Sequence, residues 1–323
     1  MATLNIKPKL RRNSFFTTQS FYLILVLIVL FIIATTGNPN FLTYENIISV
    51  LEQVSVLGVI SAGVTILMIA GNFDISLGAM AGLTCCIMAR LINLGVNEGL
   101  ASVIGIAFAI GFSSTNGSLS IAFMAPSFII SLATTGIFWG ISLMITQGAL
   151  ESIYGQFEFL SRAKLFGTLP LVFIISVVVY IAVHLMLRYT QIGRRVYAIG
   201  SNPRASFLSG ISVEKNKMLF FVINGFLVGI ASNMLLSRLG GAVPATGSGL
   251  EMRAISAVVV GGVPISGGRG TILGTILGVL IMGIISNMLN LLRVNMYLQD
   301  ILYGCIVLFA IGISSVRMRL GYK

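Results

Sequence analysis

Gly99 to Leu150 reads GLASVIGIAFAIGFSSTNGSLSIAFMAPSFIISLATTGIFWGISLMITQGAL, 52 consecutive residues without a Lys, Arg, Asp or Glu. An apolar helix needs roughly 20 residues to cross about 30 Å of hydrocarbon. The stretch is long enough to cross twice, with Asn116, Gly117, Ser118 and Pro126 as the expected break. No water-soluble domain needs an uncharged segment of that length, so the chain reads as a membrane protein.

Working outward, the composition agrees. Hydrophobic residues make up 56% of the chain and charged ones 9%, against about 25% charged in a soluble domain. Its 36 Gly suit helices that approach closely in lipid. Three Cys, two of them adjacent at Cys85 and Cys86, give neither a disulfide framework nor metal-ligand spacing and read as helix packing.

The net charge of +11 could suggest nucleic acid, but its distribution points elsewhere. Thirteen of the 20 basic residues fall in Lys7 to Arg12, Arg188 to Lys217 and Arg317 to Lys323, with Glu214 the single acidic residue among them. Basic clusters in short loops beside spans mark the cytoplasmic side. Both termini and the central loop are therefore expected in the cytoplasm, and no nucleic-acid partner is expected. The apolar run Phe15 to Thr36 could follow a signal-peptide pattern, but it is long enough to span and Ala34-Thr-Thr-Gly37 is a poor cleavage site. It reads as a retained first helix.

With charges as punctuation, spans are expected at Phe15 to Thr36, Ile47 to Ala70, Ile75 to Leu94, Leu100 to Ser113, Ser127 to Thr146 and Thr168 to Leu187, then Met218 to Ser237, Ala254 to Pro264, Thr271 to Leu291 and Tyr297 to Ser314. The expected fold is an all-α polytopic integral membrane protein with about ten transmembrane helices, some short or broken, and no soluble domain. Its parts are a basic cytoplasmic tail over 1–14, a transmembrane body over 15–316 carrying a cytoplasmic loop at 188–217, and a cytoplasmic tail over 317–323.

Catalytic and cofactor signatures are missing from the sequence. There is no Gly-x-x-x-x-Gly-Lys-Ser/Thr to cradle ATP. No Cys/His cluster suggests a metal, and the single His184 reads as an interfacial imidazole. The chain is not expected to be an enzyme.

The central loop is the most legible local structure. Asn202 is a good N-cap, Pro203 suits the first helical position, and Gly210 suits the left-handed residue that ends a helix. About two turns fit between them, with Phe207, Leu208 and Ile211 apolar. Such a capped helix either rests on lipid headgroups or docks into a protein partner. The two caps and the preceding Gly193-Arg194-Arg195 favour the partner.

The run Gln191-Ile-Gly-Arg-Arg-Val-Tyr-Ala-Ile-Gly-Ser-Asn-Pro-Arg-Ala205, continuing to Ser209-Gly-Ile-Ser-Val213, resembles the cytoplasmic loop of ribose-type ABC transporter permeases. Ala254-Ile-Ser-Ala-Val-Val-Val-Gly-Gly-Val-Pro-Ile-Ser-Gly-Gly-Arg-Gly-Thr-Ile-Leu-Gly274 resembles the same family's most recognisable stretch. So do Asn287-Met-Leu-Asn-Leu-Leu-Arg-Val294 and Gly71-Asn-Phe-Asp-Ile-Ser-Leu-Gly78. The similarity runs from about Glu45 to Ser314 in the family's order. It departs at Asn72 and Phe73, where the family usually has Gly and an aliphatic residue before the Asp, and this puts the substrate in question.

The resemblance implies an importer subunit in a bacterial inner membrane that pairs with a second permease, identical or paralogous. It implies an ATP-binding subunit inside, a solute-binding protein outside, and a sugar or similar small polyol as cargo. ATP would be bound by the partner, with no cofactor in this chain. By similarity the loop residues Gly193, Arg194, Asn202, Pro203, Arg204, Ala205, Phe207, Leu208 and Gly210 would couple to the ATPase.

Polar residues inside the spans are where cargo chemistry is expected. Asp74 closes a 21-residue uncharged run between flanking Gly71 and Gly78, where a broken helix could line a cavity. Gly71, Ile75, Ser76 and Gly78 recur as Gly261, Ile265, Ser266 and Gly268, 190 positions later. This suggests that Asp74 and Arg269 meet near an inner gate; the plainer alternative is that each charge ends a helix. Asn72 and Ser76 belong to the first copy, while Asn116, Asn224, Asn233, Asn287 and Asn290 could serve sugar hydroxyls in both senses or simply bridge helices. No charged triad suited to an ionic solute is evident, which favours a neutral one. An ion-coupled secondary transporter or channel remains the alternative, with Asp74 as its thin support and the capped loop helix unexplained.

Overall fold

Helices in this chain begin and end where polar caps and left-handed glycines permit. The computed structural model describes residues 18–153, 155–165 and 167–319. The expected basic tail over 1–14 and positions 320–323 of the C-terminal tail lie outside the described residues. The helices are α1 (Thr18–Gly37), α2 (Tyr44–Ile69), α3 (Leu77–Asn93), α4 (Glu98–Ala122), α5 (Ser127–Thr146), α6 (Phe159–Arg162), α7 (Leu171–Tyr189), α8 (Gln191–Ser201), α9 (Pro203–Leu208), α10 (Val213–Leu239), α11 (Leu250–Val260), α12 (Ile272–Leu291) and α13 (Met296–Arg319). Two antiparallel two-residue ladders complete it: β1 (Glu151–Ser152) with β4 (Gly241–Ala242), and β2 (Lys164–Leu165) with β3 (Leu169–Pro170).

The chain is an all-α polytopic membrane protein. Each expected span has a helix over it, but among the described residues six helices are long and apolar enough to cross: α2, α4, α5, α7, α10 and α12. The apolar part of α1 (Phe21–Gly37) and α3 are shorter. The expected break at Asn116-Gly117-Ser118 is absent. α4 runs through it to Ala122, and the turn lies at Phe123 to Pro126, where Met124 takes φ +50° and Pro126 caps α5. Asn116 can stay helical because its amide is fully engaged with neighbouring helices (below).

The centre is formed by α2, α3 and α10 together with α11 and α12, while α4, α5 and α7 turn large apolar side chains such as Val103, Leu132 and Ile181 outward. That distribution is what a lipid-facing rim around a packed centre requires, since lipid is as apolar as the core. Ala34, Phe41 and Ile284 dock α1 onto α12 in a small separate cluster.

Two helix pairs share one design. α2 ends with Gly71 at φ +74°, whose N–H donates to the Met68 carbonyl at 3.0 Å, and α3 follows. α11 ends with Gly262 at φ +95°, whose N–H donates to the Val259 carbonyl at 2.9 Å, and α12 follows. Both are glycine-terminated helix ends in which the left-handed residue satisfies orphan carbonyls. The structural equivalence is thus Gly71 with Gly262, one residue off the sequence match to Gly261.

Candidate functional site

The loop between α7 and α10 folds into an elbow. Thr190 Oγ1 accepts from the Gly193 amide at 3.3 Å, starting α8 directly after α7. Val196 and Ile199 bury against the body, while Arg194 and Arg195 stay exposed. Asn202 Oδ1 then accepts from the Ala205 amide at 3.0 Å, Pro203 occupies the first turn of α9, and Gly210 closes it at φ +82°. Asn202, Pro203, Arg204, Ala205, Phe207, Leu208 and Gly210 are all exposed, Phe207 at 67% and Leu208 at 79%, whereas Gly193 is buried in the elbow. A recess of ≈ 320 Å³ lies beside α9, lined by Phe207 and Gly210 to Glu214. Two large apolar side chains held out on a rigid two-turn helix are a surface made to be covered.

Close main-chain contacts and a tyrosine hydrogen bond tie this elbow to the body. Gly200 sits against Ile69 and Gly268, and a Cβ there would lie 2.8 Å from the Gly268 nitrogen and 2.9 Å from the Ile69 carbonyl carbon. The Gly268 amide donates to the Ile69 carbonyl at 2.8 Å. Gly267 lies against Gly71. Tyr197 Oη donates to the Gly270 carbonyl at 2.9 Å; burial pushes its phenol up from the ordinary value, so it remains a donor. The ends of α2, α8 and the segment after α11 therefore meet at one junction. Sequence inspection missed α8 as a helix, although Gly193, Val196 and Ile199 at three-residue spacing carried the signal.

Four of the expected path residues converge between α2, α4 and α10. Asp74, 3% exposed, accepts from the Ser76 amide at 3.0 Å, Ser76 Oγ at 2.6 Å, Asn116 Nδ2 at 3.2 Å and Asn224 Nδ2 at 3.3 Å. Asn116 Nδ2 also donates to Ser76 Oγ at 2.8 Å, and its Oδ1 accepts from Thr134 at 2.7 Å. The pairing of Asp74 with Arg269 does not occur. Arg269 is exposed, and the three ion pairs among the described residues involve neither residue. Asp74 is solvated by neutral donors, which a buried carboxylate accepts in place of water.

The other candidates lie apart. Asn72 donates to the Ala70 carbonyl, and Asn233 to the Gly229 carbonyl within α10. Asn287 exchanges a double hydrogen bond with Asn46 of α2 at 2.7 and 3.1 Å. Asn290 accepts from Gln299 at 3.0 Å. Conversely, the structure brings together charges that looked unrelated in sequence: Glu251 and Arg253 on α11 stand beside Asp300 on α13.

Comparison with known proteins settles the family. A family model described as branched-chain amino acid transport system / permease component matches residues 46–311. The ribose import permease RbsC of Bacillus subtilis is 38% identical over 88% of this chain and 89% of its own length. This chain belongs to the ribose-type sugar ABC permeases. The Escherichia coli K12 ribose permease is 33% identical over 91% of the chain and 93% of its length, and the D-allose permease AlsC of the same organism 33% over 92% and 91%. No solved structure matches. The permease is thus a multi-pass transport protein of a family that is not enzymatic, and its 191-offset helix ends and glycine junction are features of that body.

Proposed function

We propose that the permease imports a neutral monosaccharide or similar small polyol across the cytoplasmic membrane of a bacterium, driven by ATP hydrolysed on a partner subunit. The observation that carries this reading is α9: a rigid capped helix with Phe207 and Leu208 bare, seated through Gly200 directly on the ends of α2 and the segment after α11. Docking there lets a motor push on the helix ends that surround the centre of the body. The relatives, named for ribose import and D-allose transport, support a sugar as cargo. In this reading the basic segment 188–217 and both termini face the cytoplasm, a second permease completes the passage, and a solute-binding protein delivers the sugar from outside. Asp74, Ser76, Asn116 and Asn224 are joined by hydrogen bonds centred on the Asp74 carboxylate and act as positioning residues that lock the α2–α3 break to α4 and α10.

The test is uptake of radiolabelled D-ribose into proteoliposomes holding the permease with its co-expressed ATPase, with and without ATP and binding protein. ATP-dependent uptake that vanishes in Phe207→Ala/Leu208→Ala supports the reading. Uptake driven by a proton or sodium gradient without nucleotide supports an ion-coupled secondary transporter instead.

A further inference from the structure

α11 has 11 residues, about 16 Å at 1.5 Å per residue, roughly half of the ~30 Å hydrocarbon core. Gly261, which caps its end, meets Gly274 in the first turn of α12. The segment from Gly240 to Gly249 therefore descends from the far end of α10 into the body, with Thr246 against Gly82 of α3 and Gly247 against Gly78. Glycines four apart on α3 are what allow a non-helical strand to lie flat there, because a Cβ at either would strike its backbone. Non-helical backbone at membrane depth is tolerated where it lines a cavity or is buried in protein.

At the bottom of this re-entrant segment stand Glu251, Arg253, Asp300 and Tyr303. Around Gly249, a point at the Cβ position lies 3.6 Å from Arg253 Nη2 and 3.7 Å from Asp300 Oδ1, yet the two side chains form no ion pair. Glu251 Oε2, Arg253 Nε and Tyr303 Oη are buried without a hydrogen-bond partner. Tyr303 is 98% buried by its 2% exposure, with the guanidinium 5.3 Å from its ring centroid. Ser248, Met252 and Asp300 nearby are exposed in the single chain. Charges at this depth cannot face lipid; they line water or meet a second protein surface.

We infer that Arg253 and Asp300, with Glu251 enclosed behind them against Gly78, form a sugar-hydroxyl site on the wall of the translocation path, with the re-entrant segment as its floor. A vicinal diol suits the groups that can be reached: its hydroxyls can donate to the exposed Asp300 carboxylate and accept from the terminal nitrogens of Arg253. The inference rests on the sugar-import reading above and names where in the chain the sugar is read.

Two measurements test it. In a Cys305→Ser background, which removes the exposed cysteine, Ser248→Cys is exposed to a membrane-impermeant methanethiosulfonate, with Leu308→Cys on the outward face of α13 as comparison. Ser248→Cys is expected to react at least about tenfold faster; equal inertness of the two overturns the site. D-Ribose and its monodeoxy analogues are then compared in uptake by wild type, Asp300→Asn, Arg253→Gln and Tyr297→Phe. At least one ribose-to-deoxyribose preference is expected to fall on the order of tenfold in Asp300→Asn and Arg253→Gln, and to hold in Tyr297→Phe. Preferences unchanged in all variants overturn it, as does selective loss of leucine uptake, which would mark a zwitterion site. A wild type that takes up neither D-ribose nor D-allose with its ATPase defeats the sugar reading alone, since the labelling arm still decides whether this face meets water.

Discussion

Asp74 is an acceptor with four donors aimed at it and no cation near, so its value lies in what it satisfies. Each buried donor left without an acceptor costs about 1–3 kcal/mol. Asp74→Ala strands several at once and is expected to lower the melting temperature of the detergent-solubilised permease markedly. Asp74→Asn aims an amide N–H at Asn116 Nδ2 or Asn224 Nδ2 and should also destabilise. Adding Asn116→Asp to it re-creates a donor–acceptor pair across the same helices, so the double variant should melt above Asp74→Asn. A double variant no more stable than the single would show that the network does not hold the break. An intramembrane carboxylate and uncharged amides are conspicuous in the sequence, but the Arg269 suggested there as a partner for Asp74 is not beside it. Arg269 was attractive only through its place in a repeat, and side-chain neighbours three helices apart leave no trace in spacing. Glu251, Arg253 and Asp300 were passed over for the same reason.

At the scale of elements, α9 was nearly readable outright: Asn202, Pro203 and Gly210 each carry the chemistry of one position in a capped helix. Asn202→Ala should cost about 1 kcal/mol of local helix stability, seen as faster amide exchange over Ala205 to Leu208. Phe207→Ala/Leu208→Ala should leave the melting temperature nearly unchanged, since both side chains are exposed and such changes stay within about 0.5 kcal/mol. It should nevertheless abolish co-purification of the ATPase; retention of the partner would show that α9 is not its dock. Gly200→Ala makes a different break. A methyl group has no room beside Ile69 and Gly268, and overpacking of this kind costs about 1–3 kcal/mol. The complex should still assemble, with ATP hydrolysis continuing while uptake falls. Full uptake in Gly200→Ala would show that force does not pass through the junction. The long α4 was misread because Asn, Gly and Ser in sequence look like a break, whereas Asn116 is kept in the helix by Asp74, Ser76 and Thr134.

The whole molecule is a packed centre inside a ring of apolar helices. Ile181 lies midway along α7 and is 55% exposed. Ile181→Lys places a charge at the expected depth of the lipid, a penalty of roughly 2.5–3.5 kcal/mol on insertion scales, and should sharply reduce accumulation in the membrane fraction. Normal accumulation would mean that this face of α7 is covered by protein. Membrane residence was legible from the 52-residue uncharged run alone, because hydrocarbon excludes charge without regard to detail. Which helices are central was not, since α2 and α7 are both apolar and only packing tells a core helix from a rim helix.

The junction at Gly200, Ile69 and Gly268 is built from peptide groups, and it reads nothing of a neighbour's side chain beyond its absence. A gearbox of that kind is indifferent to freight. Lineages could alter the lining of the passage, one hydroxyl-sensing residue at a time, without retuning the lever that opens it.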